Sequence, residues 1–166
     1  MKTMLRASFV WRLVTTQAAV LVLAFGLWAP SAVMAENTPY DNSIDKHQAQ
    51  FEKVALDLWG FAELGYQETQ SSTLLQAELK KEGFKVTSGI ADIPTAFKAE
   101  YGTDGPVIGI LGEFDALPGI AQSASPFKEV IDNATGAGQA CGHHLFGAGS
   151  AWAAVAIKEW LEDTKT

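Results

Sequence analysis

The chain's only cysteine and two of its three histidines fall within residues 136–147, in the order Cys141-Gly-His143-His144 and among several glycines. A thiolate and an imidazole two positions apart on a tight backbone can converge on one cation. Zinc is the usual occupant of such mixed sulfur and nitrogen sites. A thiol ahead of a helix N-terminus can equally act as a nucleophile, its pKa lowered by the helix dipole. The plainest alternative is a small buried hydrophobe beside a histidine that caps the next helix. Spacing alone leaves all three open, because two ligands do not make a zinc site.

The elements around this segment must do the positioning. Residues 145–161 are apolar on nearly every face until Lys158, which predicts a largely buried helix that carries Cys141 and His143 at its amino end. Residues 107–111, Val-Ile-Gly-Ile-Leu, are apolar throughout and predict a central strand covered on both faces. That strand runs into Gly112-Glu113-Phe-Asp115-Ala-Leu-Pro118-Gly119. Acidic residues at the carboxyl end of a buried strand stand where open α/β sheets put their sites, although an ordinary loop with solvated Glu113 and Asp115 has the same composition.

Upstream, Ile44, Phe51, Val54, Ala55, Leu58, Trp59 and Ala62 recur at helical spacing, with Ser43 or Asp45 as cap and an end near Gly60 or Gly65. His47 falls on the solvent side of that helix. Ser71 and Ser72 are expected to cap a second helix running to Glu82, with Gly83 as its left-handed stop. Residues 84–87 read as a short strand. Residues 96–101 and 107–111 read as two more, joined in a hairpin by Gly102-Thr-Asp-Gly105. Residues 123–135 read as loop. Neither a phosphate-binding loop, a dinucleotide fingerprint nor a Gly-x-Ser-x-Gly elbow is present.

The 166-residue chain starts with Lys2, Arg6 and Arg12, an apolar run, and Val33-Met-Ala35 ahead of Glu36, the pattern of a secretory signal peptide cleaved after Ala35. The apolar run at 18–28 is short of the roughly 20 residues that span a bilayer. The expected product is exported to the periplasm, with residues 36–166 forming one domain. Removal of the leader leaves 9 Lys and Arg against 19 Asp and Glu, a charge of −10. That acidity argues against nucleic acid as a partner, and nothing basic remains to hold the mature chain on an anionic membrane. A single cysteine in an oxidising compartment cannot close an internal disulfide, which sharpens the question of what Cys141 does.

The separated segments Gly60-Phe-Ala-Glu63-Leu-Gly65-Tyr-Gln-Glu68, Gly83-Phe84-Lys-Val, Pro94-Thr-Ala96-Phe97, Gly112-Glu113-Phe-Asp115-Ala-Leu-Pro118-Gly and Ala140-Cys141-Gly-His143 occur in one order. Together they resemble the M20 family of metal-dependent amidohydrolases and peptidases, most closely its aminobenzoyl-glutamate utilization type. The likeness runs from about Asp45 to the end. It implies an α/β fold: the N-terminal part of a zinc-peptidase-like catalytic domain, a mixed sheet flanked by helices. It also implies a site for two zinc or manganese ions that activates water against an amide carbonyl. Carried over residue by residue, it makes Cys141 and His143 metal ligands and Asp115 an orienting residue beside them. His144 stands where relatives commonly carry Asp or Asn.

The family's general-base glutamate and its remaining ligands are expected downstream of the helix that follows Cys-x-His, so no catalytic residue is assigned within this chain. The lid domain, which is the family's usual dimer surface, is likewise expected elsewhere. Two functions follow. One is hydrolysis of a small N-acyl amino acid, aminobenzoyl-glutamate-like, as a homodimer or with a complementing chain. The other is a non-catalytic exported fragment with weak metal binding.

Overall fold

A computed structural model describes residues 38–165, so the leader and its cleavage point lie outside the described residues. Helix α1 covers Pro39–Phe61, α2 covers Thr69–Lys81 and α3 covers His143–Thr164. Among the described residues, four short strands form two separate antiparallel pairs: β1 (Lys85–Ser88) with β2 (Phe97–Glu100), and β3 (Leu117–Pro118) with β4 (Ala137–Gly138). The fold is mixed α/β. The single mixed sheet expected from the sequence is not present among the described residues.

Helix α1 begins ahead of the predicted Ser43 cap. Pro39 occupies the first turn, where its missing N–H costs nothing, and the Asp41 carboxylate accepts from Thr38 N–H at 2.5 Å and Thr38 Oγ1 at 2.9 Å. Helix α2 stops as its sequence suggests. Gly83 takes φ +86°, its N–H donates to Lys80 O, and Phe84 N–H donates to Leu79 O. This pair of bonds closes a helix only when a left-handed residue follows it, which is why glycine stands there.

The core lies between the helices. Phe51, Val54, Ala55 and Leu58 of α1 pack on Leu75 and Leu79 of α2 and on Ala148, Ala151 and Val155 of α3, and Phe51 stacks on Trp152 at 5.6 Å. Small residues on α3 let the long helices approach closely, and that contact fixes where the amino end of α3 sits. The apolarity of α3 is less directional than its packing. It buries one stripe, while Leu145 and Phe146 face out.

Two strand predictions change. Residues 97–100 do form a strand, but its partner is β1, in the register Lys85↔Glu100 to Ser88↔Phe97. Residues 107–111 form no strand, with Val107 99% and Ile108 78% exposed. A central strand needs neighbours on both sides to take its N–H and C=O groups, and among the described residues no strand lies beside it. Its last residue is tied to α3, where Ser150 Oγ donates to Leu111 O at 2.7 Å.

Candidate metal centre

Past Leu111, Phe114 packs against Phe97 at 6.0 Å, whereas its neighbours Glu113 and Asp115 both reach the side chain of His143. Ala116 N–H donates to Glu63 O at 2.7 Å within a parallel bridge to Leu64, which anchors the carboxyl end of the segment to the turn after α1. On the other side Gln139 and Gly142 make the turn into α3. Gly142 N–H donates to Gln139 O, Gly142 takes φ +82°, and His143 becomes the first residue of the helix.

These two pieces meet at the His143 ring. Its Nδ1 lies 2.8 Å from Asp115 Oδ1 and its Nε2 lies 3.0 Å from Glu113 Oε2. A neutral imidazole has one N–H and one lone pair, so it can donate to only one carboxylate. The other nitrogen then faces an anion, and the contact is attractive only with a cation there, either a proton or a metal. One ligand atom from each of Glu113, Asp115 and His143 lies within 4.8 Å of the others. Imidazole with carboxylate oxygen is a donor set that suits zinc and manganese. The residues present therefore fit a divalent ion of the kind the family resemblance implies.

The other residues singled out in the sequence are placed differently. Cys141 is exposed, free, and outside this three-residue cluster. His144 points away into the interior, edge-on to Trp59 at 5.1 Å, and its Nδ1 has no hydrogen-bond partner. Burial pushes its pKa below the usual histidine value. It packs the root of α3 against α1. Asp115 contacts the ring of His143. Glu113 was legible only as one of two acids past an apolar run; its contact with His143 joins segments far apart in sequence.

Gly147 sets the distance between α3 and the acidic segment. A Cβ there would stand 2.9 Å from Glu113 O and 3.0 Å from Phe114 Cβ. The first of these is a backbone atom, so no rotamer change relieves it. A Gly147→Ala variant is expected to lose about 1–3 kcal/mol of stability, as overpacked positions do. It is also expected to bind zinc less tightly although it removes no ligand. Thermal unfolding and a zinc titration measure both, and unchanged affinity would show that the acidic segment is not set by this contact.

Among the described residues no helix is long and apolar enough to cross a membrane. No family profile matches the chain. It is similar to a subunit of the p-aminobenzoyl-glutamate hydrolase of Escherichia coli strain K12, with 36% identity over 122 residues, 74% of this chain and 25% of the relative. The chain thus spans about a quarter of the length of the curated relative it matches.

Proposed function

We propose that this chain carries part of the metal centre of an M20-type amidohydrolase acting on the amide bond of a small N-acyl amino acid, aminobenzoyl-glutamate-like. The observation that carries the reading is the His143 ring held between Asp115 and Glu113, in a chain similar to a hydrolase of that substrate class. When bound, zinc or manganese supplies a Lewis acid and an activated water. The chain's own residues do the holding. His143 presents a ring nitrogen, Asp115 fixes the orientation of that ring, and Glu113 adds a negative charge on the opposite side. Cys141, two residues earlier on the turn, is the second ligand that the family resemblance implies.

The family reading extends to two ions, a homodimer or complementing chain, and export to the periplasm with cleavage after Ala35. Amino-terminal sequencing of the secreted protein tests the last point, and retention of residues 1–35 in the main extracytoplasmic species would overturn it.

The functional test combines the purified chain with zinc or manganese and follows release of aminobenzoate from aminobenzoyl-glutamate. Metal binding is measured in parallel by calorimetry. The expected result is metal binding that depends on His143, with hydrolysis by the chain alone slow or absent and abolished in His143→Ala wherever it is detected. Tight binding indifferent to His143, Glu113 and Cys141 together would overturn the site. Hydrolysis that persists without metal would overturn the reaction class.

A further inference from the structure

Residues 107–111 form no strand, yet they carry the side chains of one. They read Val-Ile-Gly-Ile-Leu, nearly the same in either direction about Gly109. Val107 is 99% exposed, Ile108 78% and Leu111 73%, and Ile110, the most covered, is still 43% exposed. Among the described residues no backbone N–H or C=O of 107–110 is hydrogen-bonded, and Leu111 O meets only the Ser150 hydroxyl. Unpaired backbone beneath exposed β-branched side chains is a template for another strand.

The charges that ordinarily guard such a template are missing here. Strand β1 carries Lys85, and β2 carries Lys98 and Glu100, paired at 2.9 Å. From Gly105 to Gly112 no residue is charged. Pro106, which has no N–H, bounds the segment on one side. Gly112 bounds it on the other, where a Cβ would stand 3.1 Å from Ser150 Cβ of α3. The nearest acids, Asp104 and Glu113, fall outside these bounds.

We propose that residues 107–111 pair antiparallel with the same residues of a second copy of this chain. The occupant follows from the order of the side chains. A two-fold interface requires that if one residue meets another, the second meets the first. Pairing centred on Gly109 does this: Ile108 stands against Ile110 of the second copy, and Val107 against Leu111 of the second copy. Side chains directly opposite share a face, so one face gathers the isoleucines and the other gathers valine and leucine, with no like charges opposed. With Gly109 opposite itself in a hydrogen-bonded pair, residues 107, 109 and 111 exchange the N–H···O bonds, and Pro106 falls where no N–H is needed. A Cβ at Gly109 would meet nothing within 4 Å, so the centre of the segment is open to a partner. One short strand per copy buries less than the roughly 800 Å² per partner of a standard interface, which makes the dimer transient, with a dissociation constant on the order of 100 μM. The pairing uses no residue of the His143 cluster, so the two stand or fall separately.

The test is sedimentation velocity of the full chain from about 1 μM to about 1 mM, with a chelator present so that no metal bridges two copies. Ile108→Lys, at a position too exposed to disturb the fold, is expected to weaken dimerisation at least about tenfold and to leave the thermal midpoint within about 2 °C. Adding Ile110→Glu is expected to restore most of that loss, because position 108 of each copy faces position 110 of the other and opposite charges then meet. A merely sticky patch would weaken further with the second charge. Cross-linking with diamide in a Cys141→Ser background reads the same register. Gly109→Cys faces itself at about 5 Å between Cα atoms and is expected to form an interchain disulfide, whereas two copies of Val107→Cys stand roughly 14 Å apart and do not. A chain that stays monomeric throughout would overturn the pairing and leave the segment to a different protein. Equal cross-linking at 107 and 109, or an Ile108→Lys chain that dimerises like the wild type, would overturn it by placing the interface elsewhere.

Discussion

A His143→Ala variant is expected to lose at least about 100-fold in zinc affinity, some 2.7 kcal/mol, whereas Asp115→Asn loses about tenfold. The difference follows from the geometry. His143 is the one side chain that reaches both carboxylates, at 2.8 Å and 3.0 Å, so its removal leaves Glu113 and Asp115 with no nitrogen between them. Asparagine at 115 keeps the size and one oxygen but loses the charge that orients the ring. Cys141→Ser is expected to cost about tenfold, because the thiolate would have to come in from an exposed turn. The measurement is a calorimetric titration of each variant beside the wild-type chain. A Cys141→Ser loss equal to that of His143→Ala would make the thiolate a full partner, and a His143→Ala variant that binds zinc normally would sink the assignment.

The helices were legible because each is amphipathic and ends on chemistry that a short window can see. Gly83 and the apolar spacing around Phe51 and Leu58 are local signals, and both appear in the structure as expected. Strand pairing was not legible, because a strand is completed by residues far away in sequence. Residues 107–111 have the composition of a buried strand, yet among the described residues they have no neighbour to pair with and their side chains face solvent. The site shows the same division. His143 was visible from its spacing and Asp115 from its place after an apolar run, but the Glu113–His143 contact depends on how closely Gly147 lets α3 approach. His47 was misplaced for a related reason: periodicity assigns one face to the core, yet His47, on another face of α1, is only 7% exposed, with Glu159 of α3 2.9 Å from its Nε2 and Glu82, just past the end of α2, 4.0 Å from its Nδ1.

The largest stability effect is expected at Glu63. This carboxylate is 8% exposed and serves as the missing cap of α2, whose own first residues cannot supply one. Oε1 accepts from Gln70 N–H at 2.9 Å and Thr69 Oγ1 at 3.1 Å. Oε2 accepts from Ser71 N–H at 2.8 Å and Ser71 Oγ at 2.7 Å. The serines foreseen as caps sit inside the first turn, and the anion that satisfies them comes from the preceding loop, favoured also by the positive end of the helix dipole. Glu63→Ala removes the cap and strands donors in the interior, which should cost about 3 kcal/mol, or roughly 10 °C in the midpoint. Glu63→Gln should cost less, since one acceptor oxygen remains.

The pH dependence carries a definite sign. Burial raises the Glu63 pKa, but donation from the Gln70 and Ser71 backbone and the nearby hydroxyls outweighs it, so the folded value lies below the ordinary 4.5. Glu159 behaves alike: burial works against ionisation, and the bonds from His47 and Lys46 bring its pKa down to about 2. A depressed carboxyl contributes stability above the unfolded pKa and loses it as the pH falls through the folded one. The gap between wild type and Glu63→Ala should therefore be full above pH 4.5 and shrink below it, while Glu159 continues to weaken both proteins toward pH 2. Denaturant unfolding at a series of pH values measures this gap, and one that stays constant down to pH 2 would show that the charge on Glu63 does not hold α2 in place.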